Sequence, residues 1–277
     1  MKILIATCAE WLSERGATLA RLRHELDGAD VEVLYSRRPE HAAIWARRIW
    51  ERAEDVKGPV CILNDDVFTC PKFTEVIDVV AEVAKGRAIS LHTSVPQAKE
   101  IPGPWLRAYW YTGPGVILPE GRATELLEFW SKLPWQFMAA PGRNEDVIAI
   151  HEAWTRQEPF WNTIPALVRH DVQTRSSLGY DGHKLRSPSV DWESPAGADC
   201  ALTDPAYWLP TVDAPPFVEN PWCSTQYMQA VRKGLSLASC CHVCWQNSTL
   251  VQIGGVCICG NCLARGVHPV LANASPR

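Results

Sequence analysis

Two kinds of chemistry can be read from residue type and spacing in this chain. The first lies near the carboxyl end. There Cys241-His242-Val243-Cys244 and Cys259-Gly260-Asn261-Cys262 make two C-x-x-C pairs separated by 14 residues. Four thiolates in that arrangement close a tetrahedral structural zinc site, so Cys241, Cys244, Cys259 and Cys262 are the expected Zn2+ ligands. Cys240 and Cys257 lie beside these pairs. Reactive or merely buried thiols are the alternative. The second is the step Asn64-Asp65-Asp66, which directly follows the apolar run Val60-Cys61-Ile62-Leu63. Adjacent carboxylates at a strand end can hold a divalent cation that acts as Lewis acid and template for a phosphate-bearing substrate. Asp and Asn are also ordinary turn residues, so the step by itself leaves metal and turn both open.

Such residues need elements to hold them. Lys2 to Thr7 is a short apolar run and reads as a buried strand. Residues 14–27 carry Leu19, Leu22 and Leu26 at helical spacing, and residues 31–35 read as a second strand. An amphipathic helix over 40–55 displays Ile44, Trp45 and Ile49. Gly58-Pro59 breaks it, the third strand runs to the acidic step, a helix follows around 71–85, and a strand is expected at 88–92. This β-α-β-α-β-α-β order predicts an α/β domain, Rossmann-like, with a mainly parallel sheet covered by helices. Ligands of such sheets bind beyond the carboxyl ends of the strands, where Asn64, Asp65 and Asp66 lie. Thr7 and Cys8 end the first strand at the same edge.

Between 180 and 235 the texture changes, with proline at 188, 195, 205, 210, 215, 216 and 221. The aromatics Trp192, Tyr207, Trp208, Phe217 and Trp222 suit a segment that wraps a domain better than a free linker. The expected organisation is a catalytic domain over 1–185, a proline-rich wrapping segment or linker over 186–235, and a zinc module over 236–277. The module is too small to sustain a core, so zinc would supply its folding energy.

Composition bounds the partners. The chain has 277 residues, 21% of them charged, and a formal charge of -4, so its bulk charge attracts neither nucleic acid nor membrane. No stretch approaches a membrane span and no signal peptide is recognisable, which predicts a cytoplasmic protein. Six of the 11 cysteines crowd between Cys240 and Cys262, and in a reducing compartment such clustering favours metal over disulfide.

Four segments in order resemble GT-A type glycosyltransferases, over about two thirds of the chain. Leu63-Asn64-Asp65-Asp66-Val67 resembles their DxD region. Tyr111-Thr112-Gly113-Pro114-Gly115-Val116-Ile117-Leu118-Pro119 is similar to a glycine-containing strand on the acceptor side. Asn144-Glu145-Asp146-Val147-Ile148-Ala149 resembles an element that opens a helix beside the acceptor. Ile164 to His170, with Ser176-Ser177-Leu178-Gly179, resembles the closing segment. The nearest likeness is to small phage-type transferases, among them enzymes that glycosylate hydroxymethylated pyrimidines in DNA. Two departures stand out. Asn64 occupies the first DxD position, and Val172 stands where glycine often follows the closing histidine. The cysteine tail resembles a treble-clef finger in which the residue matching Cys257 is not a ligand, which implies that Cys240 and Cys257 are spare thiols, although either could substitute.

The resemblance implies roles. Asp66 would coordinate Mn2+ or Mg2+ at the donor diphosphate, with His170 completing the shell or touching the diphosphate. Asp65 and Asn64 would contact sugar or ribose hydroxyls, Thr7 would lie where the nucleotide base is seated, and Ser176 and Ser177 would bind phosphate. Asp146, with Glu145 as the alternative, would be the general base of an inverting reaction. In the plain alternatives Asp66 caps a turn, Glu145 and Asp146 complement a helix dipole, and His170 is structural. The expected function is hexose transfer from a nucleotide sugar, such as a UDP-sugar, to a hydroxyl, with DNA ahead of protein or surface glycan as acceptor. Against DNA, residues 180–277 carry 6 Lys/Arg and 7 Asp/Glu, so the tail is not basic. A catalytically inactive relative and a zinc-finger adaptor are the competing readings.

Overall fold

A computed structural model describes residues 1–36, 42–93, 98, 100–109, 114–133, 145–171, 201–210, 212–218, 250–253 and 256–259. Its centre is a seven-stranded sheet built from β1 (Lys2–Cys8), β2 (Val31–Ser36), β3 (Val60–Asn64), β5 (Ile89–Ser90), β6 (Trp105–Ala108), β7 (Gly115–Leu118) and β8 (Phe160–Thr163). The spatial order is β2-β1-β3-β7-β5-β8-β6. β1 pairs in parallel with β2 and β3, and β5 with β8, whereas β7 runs antiparallel to β3 and β5 and β6 antiparallel to β8. The α/β class expected from the alternating pattern is present, and the sheet is mixed. Five strands share one direction, but β7 inserts in reverse between β3 and β5. The strand expected at 88–92 is reduced to Ile89–Ser90, because the chain beyond it turns away to bond elsewhere: Leu91 donates its N–H to Gly115 and accepts from Leu167 and Val168.

Helices cover both faces, and alternation along β1 shows why. Ile3 and Ile5 enter one core layer with Leu19 and Leu22 of α1 (Leu12–Glu25) and with Phe73, Val76, Ile77 and Val80 of α3 (Phe73–Val83). Leu4 and Ala6 enter the other, with Ala46, Ile49, Trp50 and Ala53 of α2 (Ala42–Glu54) and Leu126 of α4 (Arg122–Lys132). Ile148, Ala149 and Ala153 of α5 (Glu145–Arg156) join this second layer. The i, i+3, i+4, i+7 spacing in α2 and α3 turns one apolar stripe onto the sheet, and each large side chain so buried contributes roughly 1.5–3 kcal/mol.

Two smaller pairs complete the description. β4 (Val67–Thr69) pairs antiparallel with β9 (Val168–His170), and β10 (Leu250–Ile253) pairs antiparallel with β11 (Val256–Cys259). Residues 201–210 and 212–218 pack on the far edge of the main sheet. The carbonyl of Trp208 accepts from Trp105 Nε1 at 2.7 Å, Tyr207 donates its hydroxyl to the Ile164 carbonyl, and Arg107 and residues 216–218 exchange two backbone hydrogen bonds at 2.8 Å. Among the described residues no helix is long and apolar enough to cross a membrane.

Candidate active site

The carboxyl edge of the sheet gathers most of the expected site residues that the structure describes. β1 brings Thr7 to this edge and β3 ends at Asn64, with Asp65 and Asp66 in the turn to β4. The β4–β9 ribbon sets Val67 opposite His170, and this register folds the closing histidine back beside the acidic step. Asp66 and His170, separated by about a hundred residues of chain, are thereby brought together: His170 Nδ1 lies 3.6 Å from Asp66 Oδ1. That nitrogen is buried and has no hydrogen-bond partner among the described residues. The ring is set edge-on against His92, at 5.8 Å between centroids, and His92 Nδ1 lies 3.0 Å from the Val168 carbonyl.

Asp65 faces inward. Thr7 Oγ1 donates to its Oδ2 at 2.6 Å and Arg15 Nη1 donates to its Oδ1 at 2.7 Å. Arg15 Nη2 also lies 3.4 Å from Asp66 Oδ2, and its guanidinium stacks 4.9 Å from the centre of the Trp11 ring. One turn further along α1, Thr18 donates its hydroxyl to Asp171, whose backbone N–H donates to the Asp66 carbonyl at 2.7 Å. Arg15, Asp65, Asp66 and Asp171 are 5%, 2%, 4% and 8% exposed. The carboxylates of Asp65, Asp66 and Asp171 and the guanidinium of Arg15 thus share one buried neighbourhood. Burial pushes the Asp65 carboxyl above its ordinary value, and Arg15 and Thr7 offset only part of that rise.

Several expected site residues stand apart from this cluster or beyond the description. Asn64 is half-buried and donates its backbone N–H to the Pro114 carbonyl. Asp146 is half-buried in the first turn of α5. α5 ends just before β8, and a helix that leads into a strand of this sheet runs opposite to it, so Asp146 sits toward the same carboxyl edge. It belongs to the helix layer on the opposite face from Thr7 and Asp65. The backbone of Glu145 opens α5, and its side chain lies outside the description. Ser176, Ser177, Cys241, Cys244 and Cys262 fall outside the described residues, and Cys259 is described only as the backbone end of β11.

The sequence reading missed Arg15, Thr18, His92 and Asp171. For Arg15 and Thr18 a signal exists: extended back by one turn, the inward stripe of Leu19, Leu22 and Leu26 meets Thr18 and Arg15. A charge on an apolar stripe announces a buried partner. His92 and Asp171 carry no comparable pattern.

The donor set fits a hard divalent ion in kind. Asp66 and His170 supply a carboxylate oxygen and an imidazole nitrogen, both common ligands. Metal–ligand bonds of about 2.0–2.2 Å set adjacent ligands about 3.0–3.6 Å apart, the range in which these two atoms lie. Among the described residues no group of three His, Cys, Asp or Glu side chains is spaced to hold a metal, so water or substrate oxygen would complete the shell. No protein-family model matches the chain, and comparison with curated proteins gives no match.

Proposed function

We propose that the chain is a metal-dependent glycosyltransferase of the GT-A type, which moves a sugar from a nucleotide donor to a hydroxyl acceptor. The observation that carries this reading is the pairing of Asp66 with His170 at the carboxyl end of β3, beside the buried carboxylates of Asp65 and Asp171. The order of the four family-like segments supports it independently. Asp66 and His170 would hold Mn2+ or Mg2+ against the donor diphosphate, where the ion would neutralise charge on the leaving group. Thr7 and Arg15 keep Asp65 fixed, and Asp65 in turn braces the end of β3 from which Asp66 projects. Asp146 takes the proton of the acceptor hydroxyl if the reaction inverts the anomeric centre. Hydroxymethylated DNA is the first acceptor to try, because the four segments resemble those of small phage-type transferases.

Arg15 favours a second reading. A guanidinium that already contacts both carboxylates is also what a purely structural acidic turn would contain, as in an inactive relative of the transferases. The test separates the two. Purified protein is incubated with Mn2+, a panel of nucleotide sugars and hydroxymethylcytosine DNA, and the products are followed by mass spectrometry. Wild type should release nucleotide diphosphate in a Mn2+-dependent manner. Asp66→Asn, which keeps the side-chain shape, should lose about 100-fold or more, because metal stabilisation of the leaving group is worth several kcal/mol. Equal turnover of the two proteins would remove the metal reading, and no turnover of any donor by wild type would favour the inactive relative.

A further inference from the structure

Arg15 is buried, charged, and aimed at the two carboxylates of the proposed metal site. Its two amino groups divide between them, Nη1 to Asp65 Oδ1 at 2.7 Å and Nη2 toward Asp66 Oδ2 at 3.4 Å. Asp65 is then fully engaged, because Thr7 holds its other oxygen. Asp66 is split: one oxygen faces the guanidinium and the other faces His170. The helix that carries Arg15 is itself tied down at Thr18, through Asp171, to the backbone of Asp66. The guanidinium thus has a fixed seat across a single carboxylate from the Asp66–His170 position. A cation bound there would feel its repulsion through a poorly screened interior.

We infer that Arg15 is a resident counter-cation of the acidic step, a positioning residue that keeps bare divalent cations weakly bound and couples their binding to the arrival of an anionic diphosphate. This rests on the metal reading above and adds to it a rule for loading. With Arg15 in place, its charge offsets part of that on Asp65 and Asp66, and an isolated dication gains less there than it would without the guanidinium. When a diphosphate brings its own negative charges, the combined site outweighs the guanidinium, and cation and nucleotide bind together. The arrangement would make the protein select the nucleotide-bound form of the cation over the free ion.

The experiment is direct Mn2+ titration of the full chain, followed by electron paramagnetic resonance, with and without UDP and without any acceptor or turnover. Wild type should bind Mn2+ at least tenfold more tightly with UDP than without. Arg15→Gln should bind Mn2+ alone about tenfold or more tightly than wild type, and UDP should then add less. Arg15→Lys keeps the charge and should behave as wild type. Removing a buried cation can prevent folding, so a second pair is built on Asp65→Asn, which lowers the charge left unpaired. There Asp65→Asn should bind Mn2+ more weakly than wild type, and the Arg15→Gln/Asp65→Asn double variant should recover the loss. If the double variant binds like Asp65→Asn, or Arg15→Gln binds Mn2+ no more tightly than wild type, Arg15 is only a strut and the inference is overturned. Arg15→Lys behaving like Arg15→Gln would overturn it too. If wild type binds no Mn2+ even with UDP, the metal reading itself falls and takes the inference with it. Mn2+ binding that is lost in Asp66→Asn but indifferent to Arg15 would leave the metal reading standing alone.

Discussion

Asp146 shows how a residue's position narrows its role. In the first turn of a helix a carboxylate is stabilised by the positive end of the dipole, and this alone could account for an acid there. Asp146 is also half-buried and lies toward the edge at which β1 and β3 end. If it is the general base, Asp146→Asn should lower turnover by roughly two to four orders of magnitude. Binding of the donor nucleotide, measured by calorimetry, should stay within about twofold of wild type. A matching loss of nucleotide affinity would move Asp146 to the donor side. Of the acidic cluster, the sequence made Asp65, Asp66 and His170 legible through type, spacing and family likeness. It hid their mutual geometry. Asp65 reads as a ligand-facing residue, yet it points inward, because the hydroxyl and guanidinium that hold it come from positions 7 and 15, far from it in sequence. Arg15 lies inside the expected helix over 14–27, but that reading rested on its leucines and gave the arginine between them no partner.

At the scale of elements, the strands and helices up to residue 92, β4 apart, follow from periodicity, since each of these strands is flanked by a helix with a clear apolar stripe. The sheet order does not follow. β7 enters between β3 and β5 through pairing over long sequence separations, and a four-residue strand carries no local mark of its partner. β4 and β9 are three residues each, too short for a pattern, although they are what bring His170 to Asp66. Gly115 shows how tightly these pieces meet. A Cβ built there would lie 3.0 Å from Leu63 Cδ2 on β3 and 3.0 Å from Val168 Cγ2 on β9. Gly115→Ala should therefore push β9 outward and cost about 1–3 kcal/mol of stability, as overpacking does. Because Val168 and His170 share the same short strand, Mn2+ affinity in the presence of UDP should fall along with the urea midpoint. A variant with unchanged midpoint and affinity would show that the close approach at Gly115 is slack.

At the scale of the molecule, the four-cysteine tail was the sharpest local motif, and its described part is the β10–β11 pair, with Leu250 opposite Cys259. An antiparallel pair of four-residue strands is marginal by itself, and a zinc ion is what the tail's thiolates would add to it if the sequence expectation holds. Elemental analysis should find about one zinc per chain, and its removal by chelation should melt the tail while leaving Mn2+-dependent donor hydrolysis largely unchanged. A chain without zinc would end the zinc reading, and loss of hydrolysis on chelation of zinc alone would make the module structural for the whole. The segment before the tail has a separate consequence. Trp208 is fully buried against Trp105, and residues 216–218 bond along β6 as though they were one more strand. Anyone who wished to graft a different tail onto this body, or nature shuffling one by recombination, could not splice at residue 185. The joint that spares the core lies beyond Val218, so inheritance of the sheet carries a stretch of proline-rich chain with it.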